Sequence, residues 1–161
     1  MSKTVFTRNE SDATLTIERT FSAPRDRVWQ AYTDPGILDQ WWAPRPWRAE
    51  TKSMQFVVGG HWHYAMIGPD GEQHFGRMDF LEIEPGHRYK ASDSFTDAEG
   101  RIDRSLPVQT FETTFSDAGE GTKVVVLVEY ASLADMQRIL EMGMQEGLTM
   151  AQDQLEALLR E

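Results

Sequence analysis

The chain has 161 residues, of which 40% are hydrophobic and none is cysteine. A length of this order suits one domain with its own core, residues 1–161, so no disulfide scaffold is needed, and thiolate metal sites and cysteine nucleophiles are excluded. Acidic residues outnumber basic ones by 26 to 16, giving a formal charge of −10 and a pI near 4.8; this repels nucleic-acid phosphates and anionic lipid.

Neither nucleic acid nor membrane insertion is therefore expected. The N-terminal segment MSKTVFTRNESDATLT has no apolar run of signal-peptide length, and no stretch approaches the roughly 18 apolar residues of a membrane span. A soluble cytoplasmic protein is expected, with residues 1–12 as a flexible N-terminus.

In chain order, Leu15, Ile17, Arg19 and Phe21 alternate with Thr14, Thr16, Glu18 and Thr20, the period of a half-buried strand. Pro24 suits a first helical turn, and Val28, Ala31 and Tyr32 carry helical spacing until Asp34-Pro35 stops that helix and starts another through Leu38 to Trp41. From Arg48 to Ala131, turn residues divide the chain into about six antiparallel strands: Gly59-Gly60, Gly68-Pro69-Asp70-Gly71, Pro85-Gly86 and Asp117–Gly121. The run VVVLVEY ending at Tyr130 predicts a central or helix-covered strand. Polar residues from Thr96 to Pro107 predict a mobile flap. Beyond Ser132, a plausible N-cap, Leu133, Met136, Leu140, Met144, Leu148, Ala151, Leu155 and Leu158 share one stripe, which predicts a single long helix from about Leu133 to Leu159. The fold class is α+β.

Hairpin geometry sorts the faces. A turn at Pro69-Asp70-Gly71 sets Trp62 opposite Met78, Tyr64 opposite Gly76 and Met66 opposite His74, all on one face. Phe80, Glu82, Tyr89, Ala91, Asp93, Phe95, Phe111, Thr113 and Phe115 continue that face. His61, His63, Arg77, Asp79, Arg88 and Lys90 fall on the other, read as the solvent side. One helix about 10 Å across cannot cover six strands spanning about 28 Å unless the sheet curls around it, and curling leaves an interior. Gly143 and Gly147 remove bulk from the helix and are read as leaving room there for a ligand.

Three groups carry candidate chemistry. His61 and His63 have the spacing of strand-borne metal ligands but lack a third ligand, so no metal is assigned. His74, Glu82 and Asp93, with Tyr64 and Tyr89, have the residue types of a general acid–base site. Trp41-Trp42-Ala-Pro-Arg-Pro-Trp47 suits closure of one end of the core, a cavity mouth or a homodimer patch. No nucleophile elbow, phosphate loop or dinucleotide fingerprint occurs, and no cofactor is indicated.

The run Phe21-Ser-Ala-Pro-Arg-Asp-Arg-Val28-Trp29, followed by Tyr32-Thr-Asp-Pro35, Leu38 and Trp41-Trp42-Ala-Pro44, resembles the N-terminal signature of the SRPBCC or START-like superfamily. The likeness is greatest to the branch related to activators of the heat-shock chaperone ATPase. Gly59-Gly60, Gly68–Gly71, Phe80–Pro85, Gly121-Thr122 and Gly143–Gly147 extend the resemblance over nearly the whole chain. It implies the helix-grip fold, in which a curved antiparallel sheet grips the C-terminal helix around a cavity. Relatives of this fold bind lipids and hormones, cyclise polyketides or contact chaperones, so a chaperone partner and a cyclase or dehydratase using His74 with Asp93 or Glu82 are both implied alternatives. The resemblance covers only the C-terminal-type domain of the activators.

Residues and resemblance together lead to binding of a small hydrophobic or amphipathic molecule between sheet and helix, without covalent chemistry. The expected lining is Trp62, Tyr64, Met66, Met78, Phe80, Phe95, Phe111, Met136, Leu140 and Met144, with Tyr64, His74, Tyr89 or Asp93 orienting a polar end.

Overall fold

Period-two alternation of Leu15, Ile17, Arg19 and Phe21 buries one face of strand β2 (Thr14–Phe21). In the computed structural model, which describes residues 3–161, a further strand precedes it. Within the stretch expected to be flexible, β1 (Val5–Asn9) pairs antiparallel with β2, Val5 opposite Glu18. Two helices follow. Pro24 leads into α1 (Arg25–Thr33), and Asp34 caps α2 (Pro35–Trp41) by accepting from the backbone N–H groups of Gly36 and Ile37, satisfying donors that a helix start leaves free.

The turns divide the next segment as their composition predicts: β3 (Arg48–Met54), β4 (His61–Ile67), β5 (Gln73–Glu84), β6 (Arg88–Thr96), β7 (Gln109–Ala118) and β8 (Gly121–Tyr130). All pair antiparallel in the order β1-β2-β8-β7-β6-β5-β4-β3, so the Val-rich β8 lies inside the sheet between β2 and β7. Trp62 faces Met78, Tyr64 faces Gly76 and Met66 faces His74, as the hairpin geometry requires.

The alternation breaks at one point. A bulge between Phe80 and Glu82 inserts Leu81 and reverses the faces beyond it, as an extra unpaired residue must in a period-two element. Ile83 then pairs with Tyr89 and packs on the core, whereas the Glu82 carboxylate turns out to meet Arg88 Nη2 at 2.9 Å. Glu82, expected inside, is exposed.

The C-terminal stripe is two helices, α3 (Leu133–Glu141) and α4 (Met144–Leu159), not one. Ser132 caps α3, its hydroxyl accepting from Asp135 N–H at 3.1 Å. Gly143 parts them with a φ of 86°, a left-handed conformation that residues with a Cβ rarely adopt. Apolar spacing runs through this break because periodicity records side chains and not backbone angles. Neither glycine lines the cavity described below. A Cβ at Gly143 would meet only Glu146 Oε2, at 3.8 Å, and one at Gly147 only Pro44 Cγ, at 3.9 Å.

Polar anchors dock α4 over β2 and α1. Arg19, 4% exposed, reaches Asp153 at 2.6 Å. Gln152 Nε2 donates to the Tyr32 hydroxyl, and Ser22 N–H donates to Glu156. Ala151, Leu155 and Leu159 are buried between these contacts. The result is the helix-grip α+β fold, and among the described residues no helix is long and apolar enough to cross a membrane.

Gly143→Ala should lower the unfolding free energy by about 1 kcal/mol, because alanine is strained at positive φ. Gly147→Ala, inside α4, should be neutral or stabilising by up to about 1 kcal/mol. Urea titrations of the two variants measure the contrast.

Candidate functional site

Ladder register places one residue from each of five strands in a single transverse row: Trp62, Met78, Asp93, Gln109 and Tyr130. The adjoining row holds Tyr64, Gly76 and Phe95. Gly76 is required there, since a Cβ would lie 2.7 Å from the Tyr64 ring and hydroxyl; its absence lets that ring lie across β5. A cavity of about 120 Å³ is bounded here by Tyr64, Met66, His74, Phe75, Gly76, Asp93, Ser94, Phe95, Pro107 and Gln109.

Of the residues proposed from the sequence, Tyr64, Met66, His74, Asp93 and Phe95 line this cavity. Trp62, Met78, Phe80, Tyr89, Phe111 and Met136 are buried in the core, and Leu140 and Met144 pack against it half-buried. No residue of α3 or α4 lines the cavity, so it does not lie between sheet and C-terminal helix as expected. Aromatic side chains fill that space. Tyr32 sits edge-on to Phe21, Trp41 and Phe115 at 6.5, 4.9 and 5.3 Å, and Trp42 is edge-on to Trp62 at 5.2 Å. The Trp62 indole, fixed by donating to Thr51 Oγ1 at 3.0 Å, stacks on Tyr64 at 4.2 Å. What is left is smaller than the roughly 300–1,000 Å³ of most ligand pockets, and close to a cavity of about 150 Å³ that accepts benzene.

His74 stands exposed at the rim, stacked on Trp47 at 5.4 Å. With Glu82 turned outward and His74 at the mouth, the acid–base group read from the sequence is not assembled around Asp93.

The outer face also departs from expectation. His61 pairs with Asp79 across the ladder, and His61 Nε2 lies 3.1 Å from Ser53 Oγ. His63, however, is buried at 6% exposure. Residues 97–107 fold back over it: Gly100 approaches the His63 ring, its carbonyl accepts from Arg77 Nη1, and the Ser105 carbonyl accepts from Arg138 of α3. The polar segment read as a mobile flap is a fastened cover, which is why a face expected to meet solvent is partly enclosed. Burial lowers the His63 pKa, with a hydrogen bond to the Asp97 backbone opposing it.

Asp93 is the electrostatic centre of the cavity. It keeps part of its surface because it lines the space, yet burial pushes its carboxyl up to about 6, opposed by hydrogen bonds from Gln109 and the Ser94 backbone. Gln109 Nε2 donates to Asp93 Oδ2 at 3.1 Å. Burial also raises the pKa of Tyr64, with the Asp93 charge adding to the effect and the Trp42 indole opposing it. Tyr89 and Tyr130 are raised by burial as well. Among the described residues, two polar atoms nearby are buried without a partner: Gln109 Oε1 and Tyr130 Oη.

Gln109 and Tyr130 are absent from the sequence-derived site. Extending the alternation Phe115, Thr113, Phe111 back by two reaches Gln109, and extending Val124, Val126, Val128 forward by two reaches Tyr130. Pro107 has no comparable signal, because it lies in irregular chain.

The raised carboxyl has a direct energetic consequence. Its folded value lies above the ordinary 3.8, so the native state holds the proton more tightly than the unfolded chain. The cost of Asp93 is nil below about pH 4, grows as pH rises to about 6, and is complete above that. Asp93→Asn keeps an acceptor for Gln109 and removes the charge. It should stabilise the protein by on the order of 2 kcal/mol at pH 7.5 and little at pH 4, measured by urea unfolding; an equal gain at both pH values would exclude this origin.

Comparison with known proteins agrees with the architecture. The chain is similar over 98% of its length to protein Ms6760 from Mycobacterium smegmatis, with 34% identity, a TM-score of 0.91 and 96% of that chain covered. A protein from Arthrobacter aurescens gives 31% identity and a TM-score of 0.90 over 97% of this chain and 91% of its own. The AHSA1 protein from Silicibacter pomeroyi shares the fold at 17% identity, with a TM-score of 0.72 and coverages of 92% and 98%. No curated protein matches. The family model described as Activator of Hsp90 ATPase homolog 1-like protein matches residues 22–160, and the chain belongs to that family, the AHSA-like branch of the SRPBCC superfamily.

Proposed function

We propose that this protein binds a small amphipathic molecule in the cavity bounded by β4, β5, β6 and the start of β7, without covalent chemistry. A hydrogen-bonded Asp93–Gln109 pair at an apolar cavity carries this reading. Pure packing would favour apolar residues at both positions, because burying a carboxylate is costly. The fold's common use in binding hydrophobic ligands supports the same conclusion. Met66, Phe95 and the Tyr64 ring supply apolar contact, and the polar pair supplies orientation.

The cavity volume limits the occupant to about the size of a single ring. With six to eight non-hydrogen atoms, such a ligand reaches a Kd on the order of 0.1–1 mM, since apolar burial is offset by the cost of association. Titration with benzyl alcohol, followed by NMR, should shift resonances of Tyr64, Phe95 and the Gln109 side-chain amide. Met66→Trp, which fills the space from a half-buried position, should weaken binding by about tenfold or more with little change in unfolding midpoint. Absence of shifts at millimolar ligand, or unchanged affinity in Met66→Trp, would overturn the reading.

A further inference from the structure

The polar atoms around the cavity have a definite hydrogen-bonding sense. Asp93 Oδ2 is engaged by Gln109 Nε2, but no Lys, Arg or His among the described residues pairs with the carboxylate. Gln109 Oε1 is buried with no donor facing it, and Tyr130 Oη, on a residue 7% exposed that pairs with Gln109 in the ladder, is likewise unpartnered. Of these three residues, which share one row of adjacent strands, Asp93 and Gln109 line the cavity and Tyr130 stands behind Gln109, so the group the cavity presents to a ligand is the Asp93 carboxylate.

Buried polar groups are ordinarily satisfied, and a buried charge is ordinarily paired. A carboxylate or phosphate on the ligand would meet the Asp93 charge with no cation to offset it. An alcohol supplies one O–H donor. A primary ammonium supplies three N–H donors and a positive charge, and the aromatic rings around the site favour a cation at their faces. The chain's net charge of −10 acts in the same direction at long range.

We propose, building on the cavity reading above, that the site selects a small primary ammonium ion carrying an apolar body of one ring or equivalent size. Its N–H groups donate to the Asp93 carboxylate, and its apolar part lies against Tyr64, Met66 and Phe95.

The titratable groups facing Asp93 are Tyr64 from β4, Tyr89 from β6 and Tyr130 from β8, all raised by burial and hence neutral across the useful pH range. His74 of β5 lines the same cavity at its rim. Asp93 itself is left as the internal group that changes charge, its carboxyl lying near pH 6.

Calorimetric titrations with benzylamine, benzyl alcohol and benzoate at pH 7.5 test the assignment. Benzylamine should bind about tenfold or more tightly than benzyl alcohol, and benzoate more weakly than either. Asp93→Asn should abolish the preference for the amine while benzyl alcohol still binds. Lowering the pH to 5 should weaken benzylamine about tenfold, because the amine keeps its proton while most Asp93 gains one; this dependence should persist in His74→Gln. Equal affinity for amine and alcohol, tighter binding of benzoate, or a preference that survives Asp93→Asn overturns ammonium selectivity and leaves the cavity reading standing. Failure of all three probes to bind overturns both.

Discussion

Aromatic packing between the two short helices and the hollow of the sheet is the constraint from which the rest of the structure follows. Eight twisted strands present more concave surface than α4 can cover, and α4 is drawn to one side of it by Arg19, Gln152 and Glu156. Tyr32, Trp41 and Trp42 fill the middle. Edge-to-face contacts let large rings occupy a curved space at high density, and the Trp41 indole is held by donating to the Ala31 carbonyl at 3.0 Å. The cavity beside Asp93 is small and lies at the β4–β6 end. Cavity position is thus set by what α1 and α2 insert into the hollow, more than by the C-terminal helices.

Much of the fold is readable from residue order because its signals are local. Gly68–Gly71 fixes a hairpin, and the hairpin fixes the register of Trp62, Tyr64 and Met66 against β5. The errors also have local causes. A single inserted residue at Leu81 sends Glu82 outward, and nothing in the composition of FLEIE announces a bulge. At Gly143 the property that matters is the positive backbone φ, not the missing side chain. The largest gap concerns residues 97–107, whose polarity suggested solvent. Many of these residues are exposed, but the Gly100 and Ser105 carbonyls are held by Arg77 of the outer face and Arg138 of α3, contacts distant in sequence.

The site was only half readable for a related reason. Asp93 and Tyr64 lie on strands whose alternation is clear, whereas the significance of Gln109 comes from its pairing with Asp93 across β6 and β7. Such a pair follows from register, and register on that side depends on the length and course of the intervening loop. The energetic character of the site is likewise a property of the assembled sheet: a carboxylate that is ordinary in an exposed strand becomes a reluctant charge when the fold removes it from water. That cost at neutral pH is the observation on which the proposed recognition role of Asp93 rests.

The segment from Asp97 to Pro107 joins two surfaces that the sheet otherwise separates. Its early part blankets His63, its later part is tethered to Arg138, and its last residue forms one wall of the cavity. Changes in its length or composition can therefore reshape that wall while every strand pairing stays in place. One continuous stretch of chain thereby ties the outer face, α3 and the cavity wall together.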